Sequence, residues 1–131
     1  MALEIKQRER EGIVILDLKG RITVGEEAGA LRDAFSTLTG AASVLLNLQH
    51  VEFIDSTGLG ALVVGFTSAR KRAGRLKLEN LSRRNIELLL FTKLTTVFEI
   101  FNDEQDAVNS FFPDREIRHF DILSFVKEQG G

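Results

Sequence analysis

Two kinds of hydrophobic repeat alternate along this chain, and their order limits the folds that it can adopt. Ile13–Leu18 is rich in β-branched residues and is soon followed by a glycine, as expected for a strand with at least one buried face. Gly25–Leu38 instead has apolar residues three and four positions apart, which is typical of a helix with one buried side. Repeated switching between the two periods predicts an α/β fold.

The pattern predicts the element order β-β-α-β-α-β-α-β-α. A weaker first strand is expected near Leu3–Gln7, joined to the second by a turn at Glu11–Gly12. Because helices connect the later strands, we expect a mixed, mostly parallel sheet of 4–5 strands with about four helices, in which only the first two strands pair antiparallel. The remaining predicted strands are Ser43–Leu48, Arg75–Glu79 and Val97–Phe101, and the remaining helices are Leu59–Ala73, Ser82–Phe91 and Asp103–Phe112.

Composition excludes several classes of function. The 131 residues suit one domain, and 17 basic against 19 acidic side chains argue against direct nucleic-acid binding. Cysteine is absent and only His50 and His119 are present, so we expect neither a metal site nor a cofactor. The longest apolar run, Gly58–Phe66, is shorter than the ~20 residues of a membrane span. With no secretory signal at the N-terminus, these features predict a cytoplasmic protein without membrane contact.

Charge divides the chain near its only proline, Pro113. Residues 103–131 carry 3 basic and 7 acidic side chains, whereas the preceding residues have a slight basic excess. We therefore expect a domain at residues 1–112 and a C-terminal extension at residues 113–131. The extension is too apolar for a free tail, so we expect it to dock on the domain or on a second subunit, which leaves a homodimer open. Its apolar residues are Ile117, Phe120, Ile122, Leu123, Phe125 and Val126.

A polar cluster, Asp55–Gly60, lies where the third predicted strand gives way to the second predicted helix. A helix N-cap would account for it, since a side-chain oxygen there accepts hydrogen bonds from free backbone N–H groups. With Ser56 as the cap, however, Leu59 stands where a capping box needs Glu or Gln. Gly58 and Gly60 also weaken the start of a helix, each by roughly 0.5–1 kcal/mol relative to Ala. Small residues here would let another molecule approach Ser56 closely.

In register with this order of strands and helices, the Asp55–Gly60 stretch resembles the signature of STAS domains, and specifically of the bacterial anti-sigma factor antagonists. The resemblance covers about Leu3–Phe112 and implies a STAS-like single domain. It extends to Leu18–Ile22, Leu46–Leu48, Glu87–Leu89, Thr92–Leu94, Phe98–Phe101 and Asp103.

The resemblance implies a phosphorylation switch. In that family the serine after the aspartate is phosphorylated by a serine kinase of the histidine-kinase-like ATPase class, which is also the anti-sigma factor. The unmodified protein binds this kinase and frees the sigma factor, the phosphorylated protein releases the kinase, and a metal-dependent serine phosphatase resets the switch. The matching residue is Ser56, with Thr57 as the second choice. Such a protein regulates transcription and is not an enzyme.

The partner-binding surface that the resemblance implies has two parts. Many family members carry an acidic residue where this chain has Thr23, and Glu26 or Glu27 could supply that charge. The loop that carries Thr23 should lie near Ser56, because both follow strands at the same edge of the sheet. A non-phosphorylated adaptor of a transporter or signalling complex, with the same fold, is the alternative function. The residues of the predicted surface are Asp55, Ser56, Thr57, Gly58, Leu59, Gly60, Thr23, Gly25 and Glu26.

Two further features of the sequence bear on function. Basic residues at Arg70–Arg72, with Arg75 and Lys77, are interpreted as a solvated helix end. The alternative is a surface for an acidic partner, or a weak phosphate or nucleotide site. Ser56 is not expected to be a catalytic nucleophile, because its flanks lack the Gly-x-Ser-x-Gly pattern and no base and orienting group accompany it.

Overall fold

The computed structural model describes residues 3–38, 43–118 and 120–125, so His119 and Val126 lie outside the described residues. The strands are β1 (Leu3–Arg10), β2 (Ile13–Ile22), β3 (Ser43–Ile54), β4 (Arg75–Glu79) and β5 (Ile100–Phe101). The helices are α1 (Glu26–Ser36), α2 (Ser56–Lys71), α3 (Arg83–Phe91) and α4 (Glu104–Asn109), with a 3-10 turn at Leu94–Thr96. This order of elements confirms the predicted α/β alternation.

The five strands form one sheet in the order β1-β2-β3-β4-β5. β1 pairs antiparallel with β2, and each later neighbour pair is parallel. The turn between β1 and β2 has positive φ angles at Glu11 (52°) and Gly12 (83°), the backbone region that a tight hairpin needs. The mixed, mostly parallel sheet predicted from the sequence is therefore confirmed.

Side chains alternate between two cores on the opposite faces of the sheet. On the first face, β2 and β3 bury Leu16 and Leu46 against side chains of α1, α2 and α3. On the second face, Ile15 and Leu45 pack against Ala107 and Val108 of α4. The near-continuous apolar runs of β2 and β3 follow from this, because both faces of these central strands are covered.

Two predicted elements are shorter in the structure. The predicted strand Val97–Phe101 is wrong at its start, because the backbone N–H groups of Val97 and Phe98 donate to Leu94 O and close a turn. Sheet pairing begins where Leu78 N donates to Glu99 O. The predicted fourth helix also ends early: Phe111 and Phe112 donate to carbonyl groups three residues back, so α4 stops at Asn109.

β3 is longer than the prediction of Ser43–Leu48, and this extension positions the motif. Pairing between β3 and β4 stops at Asn47 and Glu79, but β2 and β3 continue side by side to Ile22 and Ile54. The ends of β2 and β3 therefore extend together past the end of β4, and the polar cluster follows directly.

The segment after Pro113 contacts both cores. Ile117 packs against the second core, and Phe120, Ile122 and Phe125 pack against the first. Arg115 forms an ion pair with Glu11 in the turn between β1 and β2, at 2.8 Å. The division of the chain at Pro113 stays a prediction.

No helix among the described residues is long and apolar enough to cross a membrane.

Candidate functional site

The N-cap of α2 is Asp55, whose carboxylate connects two elements. Its Oδ1 accepts a hydrogen bond from the backbone N–H of Gly58 at 2.7 Å, and its Oδ2 accepts one from Val24 N at 2.9 Å. These bonds stabilise the ionised form and hold the pKa of Asp55 below its usual range. From the sequence alone, Ser56 is the candidate cap. The carboxylate is favoured because its two oxygens satisfy the helix and the preceding loop at once.

Ser56 is the first residue of α2, and it is exposed. Since Asp55 caps the helix, the Ser56 hydroxyl is not needed for capping, and it makes no side-chain hydrogen bond within the described part of the chain. Thr57 is half-buried. The structure thus presents one accessible hydroxyl at the start of the helix.

Gly58 has an internal role in packing. A Cβ atom added to Gly58 would lie 2.0 Å from the backbone oxygen of Ile22, so only glycine lets α2 approach the end of β2 this closely. The nearest atom to a Cβ on Gly60 is the Arg32 Nη2, 4.0 Å away. The expectation that Gly58 leaves room for a partner is therefore wrong, and nothing in the packing explains Gly60.

The loop between β2 and α1 contacts the motif, as predicted. Besides the Val24 N bond to Asp55, the N–H of Asp55 donates to Ile22 O at 3.2 Å. Thr23 O accepts from Ala28 N at 3.0 Å, and Gly25, the residue before α1, has a φ of 104°. Hydrogen bonds thus hold this loop against the start of α2.

The structure divides the predicted surface residues into two groups. Gly58 and Leu59 are buried, and Leu59 is part of the first core. Ser56, Gly25 and Glu26 are exposed. The half-buried members are Asp55, Thr57, Gly60 and Thr23.

Val24 is not among the residues predicted for this surface. Its backbone N–H anchors the loop to Asp55, and its apolar side chain is 68% exposed beside the motif. A single valine in a polar loop gives a weak sequence signal, because isolated exposed apolar residues are common.

The basic cluster late in α2 is smaller than predicted. Arg70, Lys71 and Arg75 are exposed, but Lys77 is 2% exposed. Lys77 belongs to β4 and points to the second core, where its Nζ pairs with Glu99 Oε2 at 3.0 Å. Lys77 is therefore a structural residue and does not contribute to a surface for anions.

Comparison with known proteins gives the family. The STAS domain profile matches residues 4–107. The anti-sigma-B factor antagonist of Bacillus subtilis (strain 168) is 35% identical over 109 residues, which cover 82% of this chain and 99% of that protein. Its name describes a regulator and not an enzyme, in agreement with the prediction from the sequence.

Solved structures show the same fold. An anti-sigma factor antagonist from Mycobacterium paratuberculosis aligns with a TM-score of 0.72 at 19% identity, covering 83% of this chain and 93% of that chain. The Bacillus cell fate determinant SpoIIAA in its phosphorylated form aligns with a TM-score of 0.64 at 22% identity, covering 82% and 98%. Together with the matched profile and the Bacillus subtilis relative, these results establish that the chain belongs to the STAS domain family.

Proposed function

We propose that this protein is an anti-sigma factor antagonist switched by phosphorylation of Ser56. In this proposal the unmodified protein binds an anti-sigma factor that is also a serine kinase of the histidine-kinase-like ATPase class, and the phosphorylated protein releases it. The observation that carries the proposal is the exposed hydroxyl of Ser56, beside a cap whose two oxygens are both occupied. The name of the Bacillus subtilis relative supports the assignment.

The surface around Ser56 is held in place before a partner arrives. Asp55 ties the start of α2 to the loop of Val24, and Gly58 lies directly against Ile22. A preformed surface loses less conformational freedom on binding, which favours affinity. We expect the partner to contact Ser56 and the exposed side chain of Val24 together.

A phosphate on Ser56 would be added next to an existing negative charge. Phosphorylation contributes about −1.5 to −2 charges. A free helix N-terminus could stabilise such an anion, but here the Gly58 N–H already donates to the ionised carboxylate of Asp55. The phosphate would therefore add its charge beside ionised Asp55, which already uses this N–H, and docking would bury the added charge. A loss of about 3–4 kcal/mol in binding free energy weakens affinity by two to three powers of ten.

The fold itself should tolerate the modification. Ser56 is exposed and its hydroxyl is not used for capping, so a phosphate displaces no internal contact. SpoIIAA, which shares this fold, has been solved in a phosphorylated form. An accessible phosphate is also a suitable substrate for the metal-dependent serine phosphatase that would reset the switch.

The first test maps the modified residue. Wild-type protein and the Ser56→Ala variant are incubated with ATP and a lysate of the source cells, and phosphate is located by mass spectrometry. We expect phosphate on Ser56 of the wild type and no phosphorylation of the variant. Phosphate on Thr57 would move the switch by one residue. If neither Ser56 nor Thr57 carries phosphate, the result contradicts the proposal and favours the non-phosphorylated adaptor.

The second test measures affinity for the purified kinase. We expect Ser56→Ala to bind like the wild type and Ser56→Asp to bind at least about 100-fold more weakly, because the added charge must be buried. Ser82→Asp is the matched control: Ser82 is an exposed serine that caps α3, and Asp caps helices equally well. Equal binding by Ser56→Asp and the wild type would refute the electrostatic switch.

A further inference from the structure

Two buried ionisable side chains of β4, Lys77 and Glu79, lie on the face of the sheet that α4 covers. α4 has only six residues, which is too short for a stable isolated helix. Its inward residues pack on the second face of the sheet, where β4 places Lys77 and Glu79. These two side chains are 2% and 0% exposed, and they lie at opposite ends of α4.

At the C-terminal end of α4, the charge is fully satisfied. Lys77 Nζ donates to the backbone oxygen of Ser110 at 3.0 Å and to its hydroxyl at 2.9 Å, and it pairs with Glu99. The ammonium also lies 4.7 Å from the centre of the Phe111 ring. A cation is favourable at a helix C-terminus, so this end is stabilised without a further partner.

At the N-terminal end, one oxygen of Glu79 has no donor. Its Oε1 accepts from Asn80 Nδ2 at 3.0 Å, but its buried Oε2 accepts no hydrogen bond from any of the described residues. The carboxylate of Glu104, in the first turn of α4, raises the pKa of Glu79 both as a potential hydrogen-bond partner and through its charge. Two ionised carboxylates cannot form a hydrogen bond, so a bond between them requires a proton on one of them.

The surrounding charges decide which carboxylate holds the proton. Arg10 Nη1 donates to Glu104 at 2.7 Å, and Arg8 Nη1 donates to it at 3.0 Å. These cations stabilise ionised Glu104 and lower its pKa, whereas burial and the adjacent Glu104 raise the pKa of Glu79 to about 9. Arg8 is shared with Asp17 of β2, at 2.6 Å.

We propose that Glu79 and Glu104 share a single proton, carried by Glu79, and that this proton fastens the first turn of α4 to the sheet. The charged groups around the pair are Arg8 and Arg10 from β1 and Asp17 from β2, whereas β3 contributes the neutral Asn47. Lys77, on the same strand as Glu79, is bound to Ser110 and Glu99 at the other end of α4. Loss of the proton leaves two adjacent negative charges, one of them buried. The N-terminal turn of α4 then separates from β4, so this turn detaches from the sheet at alkaline pH.

The direction of the pH effect follows from proton linkage. In the unfolded chain Glu79 titrates near 4.5, whereas in the folded protein it keeps its proton to about pH 9. Between these values the folded state holds one more proton than the unfolded state, so stability falls as pH rises. The contribution of Glu79 is complete below pH 4.5 and is lost as pH passes through its folded pKa. One proton changes the folding equilibrium constant by at most about tenfold per pH unit.

Urea unfolding of the full chain between pH 5 and 9 tests this proposal in three proteins. We expect the folding equilibrium constant of the wild type to fall by up to about tenfold per pH unit. Glu79→Gln should remove that slope, because an amide N–H donates to Glu104 at every pH. Glu87→Gln is the control, since Glu87 is exposed and pairs with Arg83, and it should keep the wild-type slope. Equal slopes in the wild type and Glu79→Gln would overturn the proposal.

Two measurements on the wild type do not depend on any variant folding. The carboxyl carbon of Glu79, followed by NMR, should titrate far above 4.5, and an ordinary midpoint would exclude the shared proton. Amide hydrogen exchange should show that residues 104–109 lose protection near pH 9 before residues 26–36 of α1, after correction for intrinsic rates. If both helices lose protection against exchange at the same pH, the result would refute a specific release of α4.

Discussion

At the scale of single residues, the candidate site depends on the carboxylate of Asp55 and on the lack of a side chain at Gly58. Asp55 uses both carboxylate oxygens, one for α2 and one for the loop of Val24. Gly58 contributes by having no Cβ atom, which lets α2 lie against the carbonyl of Ile22. These two residues set the position of Ser56, although neither is exposed as Ser56 is.

Alanine substitutions at the two glycines of the motif should have opposite effects. Gly58→Ala should lower the free energy of unfolding by about 1–3 kcal/mol, because the new methyl group meets a backbone atom that cannot move alone. Gly60→Ala has space and should raise the free energy of unfolding by roughly 0.5–1 kcal/mol through helix propensity. Urea unfolding of both variants measures this difference. Equal stabilities would mean that the contact with Ile22 is not tight.

The sequence located this site but could not assign its roles. Asp55, Ser56 and Thr57 are all good N-cap residues, and three in succession leave the choice open. The choice depends on the Val24 N–H, which approaches from 31 positions earlier in the chain. A long-range donor of this kind leaves no periodic or local trace in the sequence.

At the scale of elements, the close approach of α1 and α2 depends on Gly65. A Cβ added there would lie 2.4 Å from the Phe35 ring, and Phe35 itself is 4% exposed. The ring of Phe35 therefore occupies the space next to α2 where a side chain would otherwise lie. Helices usually pack 8–10 Å apart depending on their contact residues, and a glycine allows a large neighbour at this position.

Gly65→Ala should lower the free energy of unfolding by about 1–3 kcal/mol, because a buried methyl group overlaps an aromatic ring. Phe35→Leu alone should also destabilise the protein by leaving a cavity. Together the two changes should cost less than the sum of the single effects, which a double-mutant cycle measures by urea unfolding. Strict additivity would show that the two residues do not compete for the same space.

Prediction of elements succeeded where local pattern and tertiary pairing agree. Arg75–Glu79 was placed correctly because Leu76 and Leu78 alternate with charged residues, which is a local signal for a strand. The following helix was placed correctly because Ser82 is a good N-cap residue. Val97–Phe101 has the composition of a strand, but the backbone closes a turn on Leu94 before pairing begins. Composition cannot show which backbone N–H groups already donate hydrogen bonds within a turn.

At the scale of the whole molecule, the C-terminal segment contacts both cores. Ile117 lies on the second face and Phe120 on the first, and the Phe120 and Phe125 ring centres are 5.3 Å apart. A segment in contact with both faces should unfold together with the sheet. We therefore propose that the described residues after Pro113, 114–118 and 120–125, belong to the cooperative unit.

Phe120→Ala tests this proposal. Since Phe120 is half-buried, the free energy of global unfolding should fall by about 1–2 kcal/mol, less than the ~3–5 kcal/mol typical of a fully buried ring. Leu123→Ala is the matched control in the same segment: Leu123 is 72% exposed, and its loss should change stability by less than about 0.5 kcal/mol. Thermal or urea unfolding followed by circular dichroism measures both. An unchanged midpoint for Phe120→Ala would show that the segment docks independently of the fold.

The sequence by itself determined the α/β class, the order of the elements and the place of the polar motif, because hydrophobic periods and capping residues act over a few neighbouring positions. Only the tertiary structure decided that the cap Asp55 also binds the Val24 N–H, that Gly58 serves an internal contact, and that Lys77 and Glu79 are buried against α4. Each of these depends on atoms that are distant in sequence and come together only when the sheet forms. Burial, which sets both close contacts and protonation, is a property of the assembled fold.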